Sequence, residues 1–313
     1  MSAVIGKVAA LFIMIAVGLI ASTTKLLSKG SIPYLNSSLL NIGTPAMILY
    51  SLYTRELSPG MMRETLLTLL FAAVYFIAMT ALSYLFIRIL RPEPADDRGT
   101  YICTMVANNT GFMGFPITLA LFGNGILYYV VLQNIVLNVY CYMGEPLLMN
   151  IGSSGRTSPG SAVKSLFNVI SACIMIGFVL MLTGTRPPAV IDEVIESLSR
   201  ITVPVSMILV GIQLSTVELK KIFTRTNILC SLFCMFVIPA AYFLIIHPLP
   251  FLTGEIKTGL LFTAVMPSAV ATMAIAEKYG KNSVAASEII SITSIISLFT
   301  MPAAALLLSH LYL

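Results

Sequence analysis

Residues 108–118 read NNTGFMGFPIT and place hydrogen-bonding side chains next to residues that interrupt helices. Asn108, Asn109 and Thr110 supply donors and acceptors but no group that titrates near neutral pH. Three residues that disfavour a regular helix follow, and they are candidate crossover or hinge positions: Gly111, Gly114 and Pro116. Because a broken helix presents free N–H groups and a positive dipole end, the run predicts recognition of an anionic group.

Two more stretches repeat polar residues at helical spacing. Asn134 and Asn138 lie four residues apart and therefore share a helix face. Ser268 and Thr272 have the same spacing within VMPSAVATM at 265–273. The candidate substrate-binding residues are Asn108, Asn109, Thr110, Gly111, Asn134, Asn138, Pro267, Ser268 and Thr272. Structural roles are the alternative, because amides also cap helix ends and form hydrogen bonds between helices.

Ionisable residues provide little reactive chemistry. Glu145 and Glu288 fall in apolar stretches and are possible coupling residues, although either could equally lie at the membrane interface. Asp96 and Asp97 lie in a predicted loop, and Asp192 lies at the start of a predicted span. The sequence contains no phosphate-binding loop, no metal-ligand cluster and no nucleophile paired with a base. We therefore expect neither an enzyme nor an ATP-driven pump, and no cofactor or metal.

The surrounding sequence places these residues in a membrane. The chain of 313 residues is 58% hydrophobic and 10% charged, with a mean hydropathy of +0.94. About 20 apolar residues span a bilayer, and the sequence predicts ten such spans: 4–22, 33–54, 64–88, 99–123, 125–149, 161–183, 188–215, 226–246, 256–278 and 283–309. The basic residues are scattered over short loops, which argues against nucleic-acid binding. An all-α membrane protein is the predicted fold class.

Loop charge predicts the orientation. Twelve of the 18 Lys and Arg residues fall in the odd-numbered loops. Cytoplasmic loops carry the excess of basic residues. We therefore expect the odd loops in the cytoplasm and both termini outside.

Prolines predict an internal repeat. Proline occurs in spans 2, 4 and 5 and again in spans 7, 9 and 10. With five spans per half, related halves would have opposite orientations, as in many secondary transporters. The predicted repeats are 1–152 and 165–313, joined by a short cytoplasmic linker at 153–164. We expect broken spans 4 and 9 to cross at the bilayer centre, because unpaired backbone groups cannot face lipid.

Several motifs, in order, resemble the auxin efflux carrier family. They are NNTGFMGFPITLALFGNG followed by VVLQN, then VPVSMILVGIQL, MPSAVATMAIAEKYG and LFTMP. Plant members of that family are auxin transporters, and bacterial members include malonate-type carriers. In the resemblance, Asn109 matches the crossover asparagine of span 4, and Pro267 matches the crossover proline of span 9.

The resemblance implies a fold similar to bile-acid symporters and sodium/proton exchangers. Spans 1, 2, 6 and 7 would form a scaffold that often dimerises, and spans 3–5 and 8–10 a mobile transport domain. The implied function is secondary-active or facilitative transport of small organic anions by an elevator mechanism, in a bacterial inner membrane. A sodium-coupled organic-anion symporter is the alternative, and a membrane receptor that does not transport is a further one.

Overall fold

The computed structural model describes residues 2–55, 59–150, 168–215 and 223–313. Within these ranges the chain is helical and forms no strand apart from one isolated antiparallel bridge, which agrees with the predicted all-α class. The predicted linker at 153–164 lies outside the described residues.

The first half of the chain contains eight α-helices between the described residues 2 and 150. They are α1 (Ser2–Thr23), α2 (Ile32–Ser38), α3 (Thr44–Tyr53), α4 (Met61–Leu90), α5 (Arg98–Val106), α6 (Phe115–Phe122), α7 (Asn124–Val139) and α8 (Glu145–Met149). Predicted span 2 corresponds to α2 and α3, span 4 to α5 and α6, and span 5 to α7 and α8.

The second half contains seven α-helices within its described residues. Its helices are α9 (Val169–Thr183), α10 (Ala189–Leu214), α11 (Arg225–Leu232), α12 (Ile238–Ile246), α13 (Gly254–Ala264), α14 (Val270–Lys278) and α15 (Ser283–Tyr312). Predicted span 8 corresponds to α11 and α12, and span 9 to α13 and α14.

Four helical stretches contain a π-helical turn that ends two residues before a proline. The turns are Leu39–Gly43, Thr110–Gly114, Tyr140–Gly144 and Phe233–Val237, which precede Pro45, Pro116, Pro146 and Pro239. Proline lacks an N–H group and crowds the carbonyl four residues before it. The wider turn accommodates that carbonyl, so the helix continues past the proline.

Six helical stretches among the described residues are long and apolar enough to cross a membrane, judged by length and composition. They are Gly6–Thr23, Met61–Leu90, Asn124–Met149, Ala189–Leu214, Arg225–Ile246 and Ser283–Tyr312. Their outer faces expose large apolar side chains such as Ile77 and Leu244. Such surfaces are stable against lipid and unfavourable in water.

The helices pack as two groups. In the first, α1 packs along α10, and α3 packs against both α9 and α10. The α1–α10 contact requires glycine, because a Cβ atom at Gly18 or Gly211 would collide with the backbone of the opposite helix. In the second group, α7 packs against α4, α6 and α13, while α15 packs against α11, α13 and α14.

Candidate functional site

The interruption between α5 and α6 crosses the interruption between α13 and α14. At the crossing the N–H of Asn109 donates to the carbonyl of Pro267 at 2.7 Å, and the N–H of Ala269 donates to the carbonyl of Ala107 at 2.9 Å. Backbone groups that the broken helices leave unpaired therefore bond to each other, as a buried backbone requires.

Small residues allow the two segments to approach closely. A Cβ atom at Gly114 would collide with the sulfur and methyl group of Met266. At Gly111 the nearest atom to a built Cβ is 3.9 Å away, on Leu40, so a methyl group has room there. Pro116 follows the π-helical turn Thr110–Gly114, whose wider backbone accommodates the carbonyl that the proline crowds. Of the two predicted hinge glycines, Gly114 is the one that the packing requires.

A cavity of about 390 Å³ opens beside the crossing. Of the nine predicted substrate-binding residues, six line it: Asn108, Asn109, Thr110, Gly111, Asn134 and Asn138. The wall also includes apolar residues from three regions: Leu40, Leu137, Ala269, Val270, Ala271 and Ala274. No Lys, Arg, Asp or Glu lies among the described residues that line it.

Asn109 combines a structural contact with a free donor. Its Oδ1 accepts from the N–H of Phe112 at 3.2 Å and so caps the start of the π-helical turn. Within the described part of the chain, its Nδ2 has no hydrogen-bond acceptor, and the side chain lines the cavity. The nearby α14 begins at Val270, which also lines the cavity. An amide donor and a helix N-terminus therefore border the same space.

Asn134 and Asn138 extend a chain of amides from the crossing. The Nδ2 of Asn138 donates to Oδ1 of Asn134 at 3.0 Å and to its backbone carbonyl at 2.9 Å. The Nδ2 of Asn134 donates in turn to the hydroxyl of Thr110. The interhelical bond and the cavity position coexist, so neither interpretation from the sequence excludes the other.

Asn108 serves mainly to hold the crossing together. It is 3% exposed, and its Nδ2 donates to the hydroxyl of Tyr75 at 2.9 Å and to the carbonyl of Thr263 at 2.7 Å. These bonds link the interruption in span 4 to both α4 and α13. Both N–H groups of the amide are thereby used within the protein.

Pro267, Ser268 and Thr272 are buried at the crossing but lie outside the cavity wall. Ser268 contacts the thiol of Cys234 at 3.7 Å, and its N–H donates to the hydroxyl of Thr293 at 3.2 Å. Ser268 lies in the interruption before α14 and Thr272 lies within α14, so they do not share a helix face as the spacing predicted. Both side chains contact residues of the second helix group, and the second interruption contributes backbone and small apolar side chains to the cavity.

The two possible coupling residues have different surroundings. Glu145 is fully buried, and its Oε1 accepts from the hydroxyl of Thr272 at 2.7 Å and from the thiol of Cys141 at 3.7 Å. Its Oε2 has no partner among the described residues. Glu288 is partly buried, and its Oε2 accepts from Nδ2 of Asn227 at 2.6 Å. Glu145 therefore does not line the cavity but contacts Cys141, which does.

Sequence reasoning missed two asparagines that line the cavity. Asn41 lies in the π-helical turn before Pro45, and Asn168 caps α9 by accepting from the N–H of Ser171. Asn41 had a detectable signal, because the run LNIGTP repeats the combination of amide, glycine and proline seen at 108–118. Asn168 had no such signal, because predicted span 6 begins before it and the sequence did not indicate that the helix starts at this residue.

Comparisons with known proteins identify the family of the chain. A sequence profile described as membrane transport protein matches the chain twice, over residues 3–158 and 156–304. An uncharacterized transporter of Methanocaldococcus jannaschii is 26% identical over 282 residues, which cover 85% of this chain and 86% of that protein. The resemblance drawn from the motifs is thereby confirmed. Because the profile covers both halves of the chain, the protein belongs to the auxin efflux carrier-like membrane transport family and is an integral membrane transporter.

Proposed function

We propose that the protein transports small organic anions, specifically carboxylates of the auxin or malonate type, by secondary-active or facilitative transport. The observation that carries the proposal is the free Nδ2 of Asn109 at the crossing, inside a cavity whose described lining residues include no charged side chain. A carboxylate would accept a hydrogen bond from this amide.

The electrostatics of the cavity favour an anion over a cation. The start of α14 at Val270 places the positive end of a helix dipole at the wall, and discontinuous helices bind carboxylates in this manner in other transporters. Amides and a helix dipole bind an anion less tightly than a buried arginine does. The volume of about 390 Å³ lies within the usual range of small-molecule sites.

Elevator-type alternating access is the mechanism we propose. The first helix group (α1, α2, α3, α9 and α10) would be the scaffold, and the second (α4–α8 and α11–α15) the mobile transport domain. The two profile matches support a repeat of residues 1–152 and 165–313. The opposite orientation of the two halves is inferred from the five predicted spans in each. The crossing would then carry the substrate as part of the moving domain.

Orientation and assembly follow as further parts of the proposal. The excess of basic residues in the odd loops supports cytoplasmic odd loops and external termini. The inner-membrane location is proposed from the family resemblance. A homodimer would form through the scaffold. Light scattering of the detergent-solubilised protein measures the molar mass and so distinguishes a dimer from a monomer.

A sodium-coupled symporter is a second candidate, and Glu145 favours it. The unpartnered Oε2 of this buried carboxyl could bind a cation or a proton, since a buried charge needs a partner. Replacing sodium by potassium in a transport assay separates the two candidates. Uncoupled transport predicts equal rates, whereas sodium coupling predicts a loss of at least tenfold.

Counterflow in liposomes tests the proposed function. Vesicles containing the purified protein are loaded with unlabelled indole-3-acetate or malonate and diluted into the labelled compound. Transient accumulation of label is expected for at least one of the two. Asn109→Ala should slow it at least tenfold, because the free donor is lost.

Protein-free vesicles and a protein heated to denaturation are the controls. Binding without counterflow would indicate a receptor and would contradict transport. Counterflow by Asn109→Ala at the normal rate would leave transport intact but remove Asn109 from the site.

A further inference from the structure

Arg55, just after the end of α3, joins the first helix group to the second. Its Nη1 donates to the carbonyl of Gly125 at 2.9 Å, and its Nη2 donates to the hydroxyl of Tyr129 at 3.2 Å. The guanidinium lies 4.4 Å from the ring centre of Tyr128. Only 17% of the side chain is exposed. Arg55 of the scaffold thus contacts the start of α7 through two hydrogen bonds and through the ring of Tyr128.

Two carboxylates complete the cluster from the same helix group as α7. Tyr129 donates its hydroxyl to Glu64 of α4 at 2.7 Å. Glu255 of α13 lies 3.7 Å from Nη2 of Arg55 and is half exposed. Exposed ion pairs contribute little by themselves, so the bonds to Gly125 and Tyr129 and the ring contact dominate. Every one of these partners lies in the proposed transport domain.

The Arg55 cluster lies at the opposite end of the molecule from the opening of the cavity. Gly125 lies in the first turn of α7, and Cys141, a cavity residue, lies in the π-helical turn that follows α7. At 1.5 Å per residue these two positions are about 20–25 Å apart. The cavity wall also includes Asn168 at the start of α9, whereas Arg55 contacts the starts of α7 and α13.

Packing is closed on the Arg55 side of the crossing. There α1 and α10 meet α6 and α15 through apolar side chains that include Leu11, Leu121 and Met207, and the space left between them is only about 20 Å³. Lys7 of α1 donates to the carbonyl of Leu121 at 3.1 Å, near the end of α6. The structure therefore combines a cavity on one side with tethered, close-packed helices on the other.

We propose that Arg55 is a latch that holds the transport domain in the cavity-open position shown here, by gripping the starts of α7 and α13 from the scaffold. This inference rests on the elevator mechanism of the proposed function. The latch must release when the domain moves, because Gly125, Tyr129 and Glu255 would move together while Arg55 stays with α3. Loss of the latch should then increase the population of the alternate position.

The distance between the two helix groups tests the latch. Ile13 of α1 and Ile77 of α4 are 64% and 73% exposed, so Ile13→Cys and Ile77→Cys accept spin labels without disturbing the core. Cys173→Ser removes the one native cysteine that is not buried. Pulsed electron spin resonance on this background should give one dominant distance. Arg55→Ala should increase the minor distance population at least threefold.

Matched variants separate the latch from general damage. Tyr53 donates its hydroxyl to Asp192 of α10, a bond within the scaffold, so Tyr53→Phe should leave the distances unchanged. Arg55→Lys keeps the charge and loses the fork, so a smaller shift in the same direction is expected. It also provides a folded variant should Arg55→Ala fail to fold. If Arg55→Ala and Arg55→Lys give the same distance distribution as Tyr53→Phe and the unmutated protein, the latch is overturned.

The distance readout does not depend on transport. A shift on loss of Arg55 with no counterflow by the unmutated protein would reject the proposed function while the two-position latch stands. Counterflow with unshifted distances would reject the latch alone.

Discussion

The two interrupted segments that cross differ in what they contribute. The segment between α5 and α6 places the side chains of Asn109 and Thr110 in the cavity wall. The segment between α13 and α14 places Ala269 there and turns Ser268 away, into the second helix group. Crossing therefore does not make the segments equivalent. In the function we propose, the first provides the hydrogen-bonding side chains for the substrate, and the second provides a backbone partner and a helix N-terminus.

The largest effect is expected for Asn108→Ala. The substitution removes two buried hydrogen bonds and leaves the carbonyl of Thr263 without this donor. Because unsatisfied buried groups cost about 1–3 kcal/mol each, we expect a loss of about 2–4 kcal/mol in the free energy of unfolding. Thermal denaturation in detergent measures it.

Ser268→Ala is the matched variant on the other segment. It keeps the backbone pairing and loses a contact to a thiol, so a loss below about 1 kcal/mol is expected. Equal losses for the two variants would show that the segments are structurally equivalent, against the comparison drawn above.

The glycine pair gives the next largest effect. Gly114→Ala forces the end of the Met266 side chain to move, and overpacking of this kind costs about 1–3 kcal/mol. Gly111→Ala finds open space and should cost less than about 0.5 kcal/mol. The difference in melting temperature between the two variants is the measurement, and a reversed order would refute the packing at the crossing.

Asn138→Ala should have a moderate effect on transport. It breaks the first link of the amide chain that orients Asn134 toward Thr110. Loss of one such bond is worth about 1 kcal/mol, so the KM for the carboxylate should rise about fivefold with a small change in melting temperature. An unchanged KM would mean that the chain is only structural.

The smallest effect is expected for Glu145→Gln. The amide oxygen can still accept from Thr272, so uncoupled transport should continue within about twofold of the normal rate. Counterflow at several sodium concentrations checks this. A loss of transport, or of a sodium dependence present in the unmutated protein, would instead assign coupling to Glu145.

The sequence predicted the composition of the crossing better than its orientation. Asparagine, glycine and proline inside an apolar span indicated where the helix breaks, because such residues cannot face lipid as a regular helix. The spacing also predicted that Ser268 and Thr272 share a helix face, and this was wrong because α14 begins only at Val270. Nor could the sequence predict that both side chains lie away from the cavity, since that depends on how α14 packs against α8 and α15.

Contacts between elements that are distant in the chain could not be predicted from the sequence for a related reason. Arg55 counted only as a loop charge, yet its partners come from α7 and α13. Asn168 reaches the cavity only because α9 begins beside α7 and α14. A periodic pattern identifies which residues share one helix, whereas packing decides which helices share one cavity.

The most direct test of the central claim is an electron cryomicroscopy structure of the protein with a transported carboxylate bound. The account predicts the carboxylate at the crossing, within hydrogen-bond distance of Nδ2 of Asn109 and facing the first turn of α14. A ligand bound elsewhere, with Asn109 making no contact to it, would contradict the account.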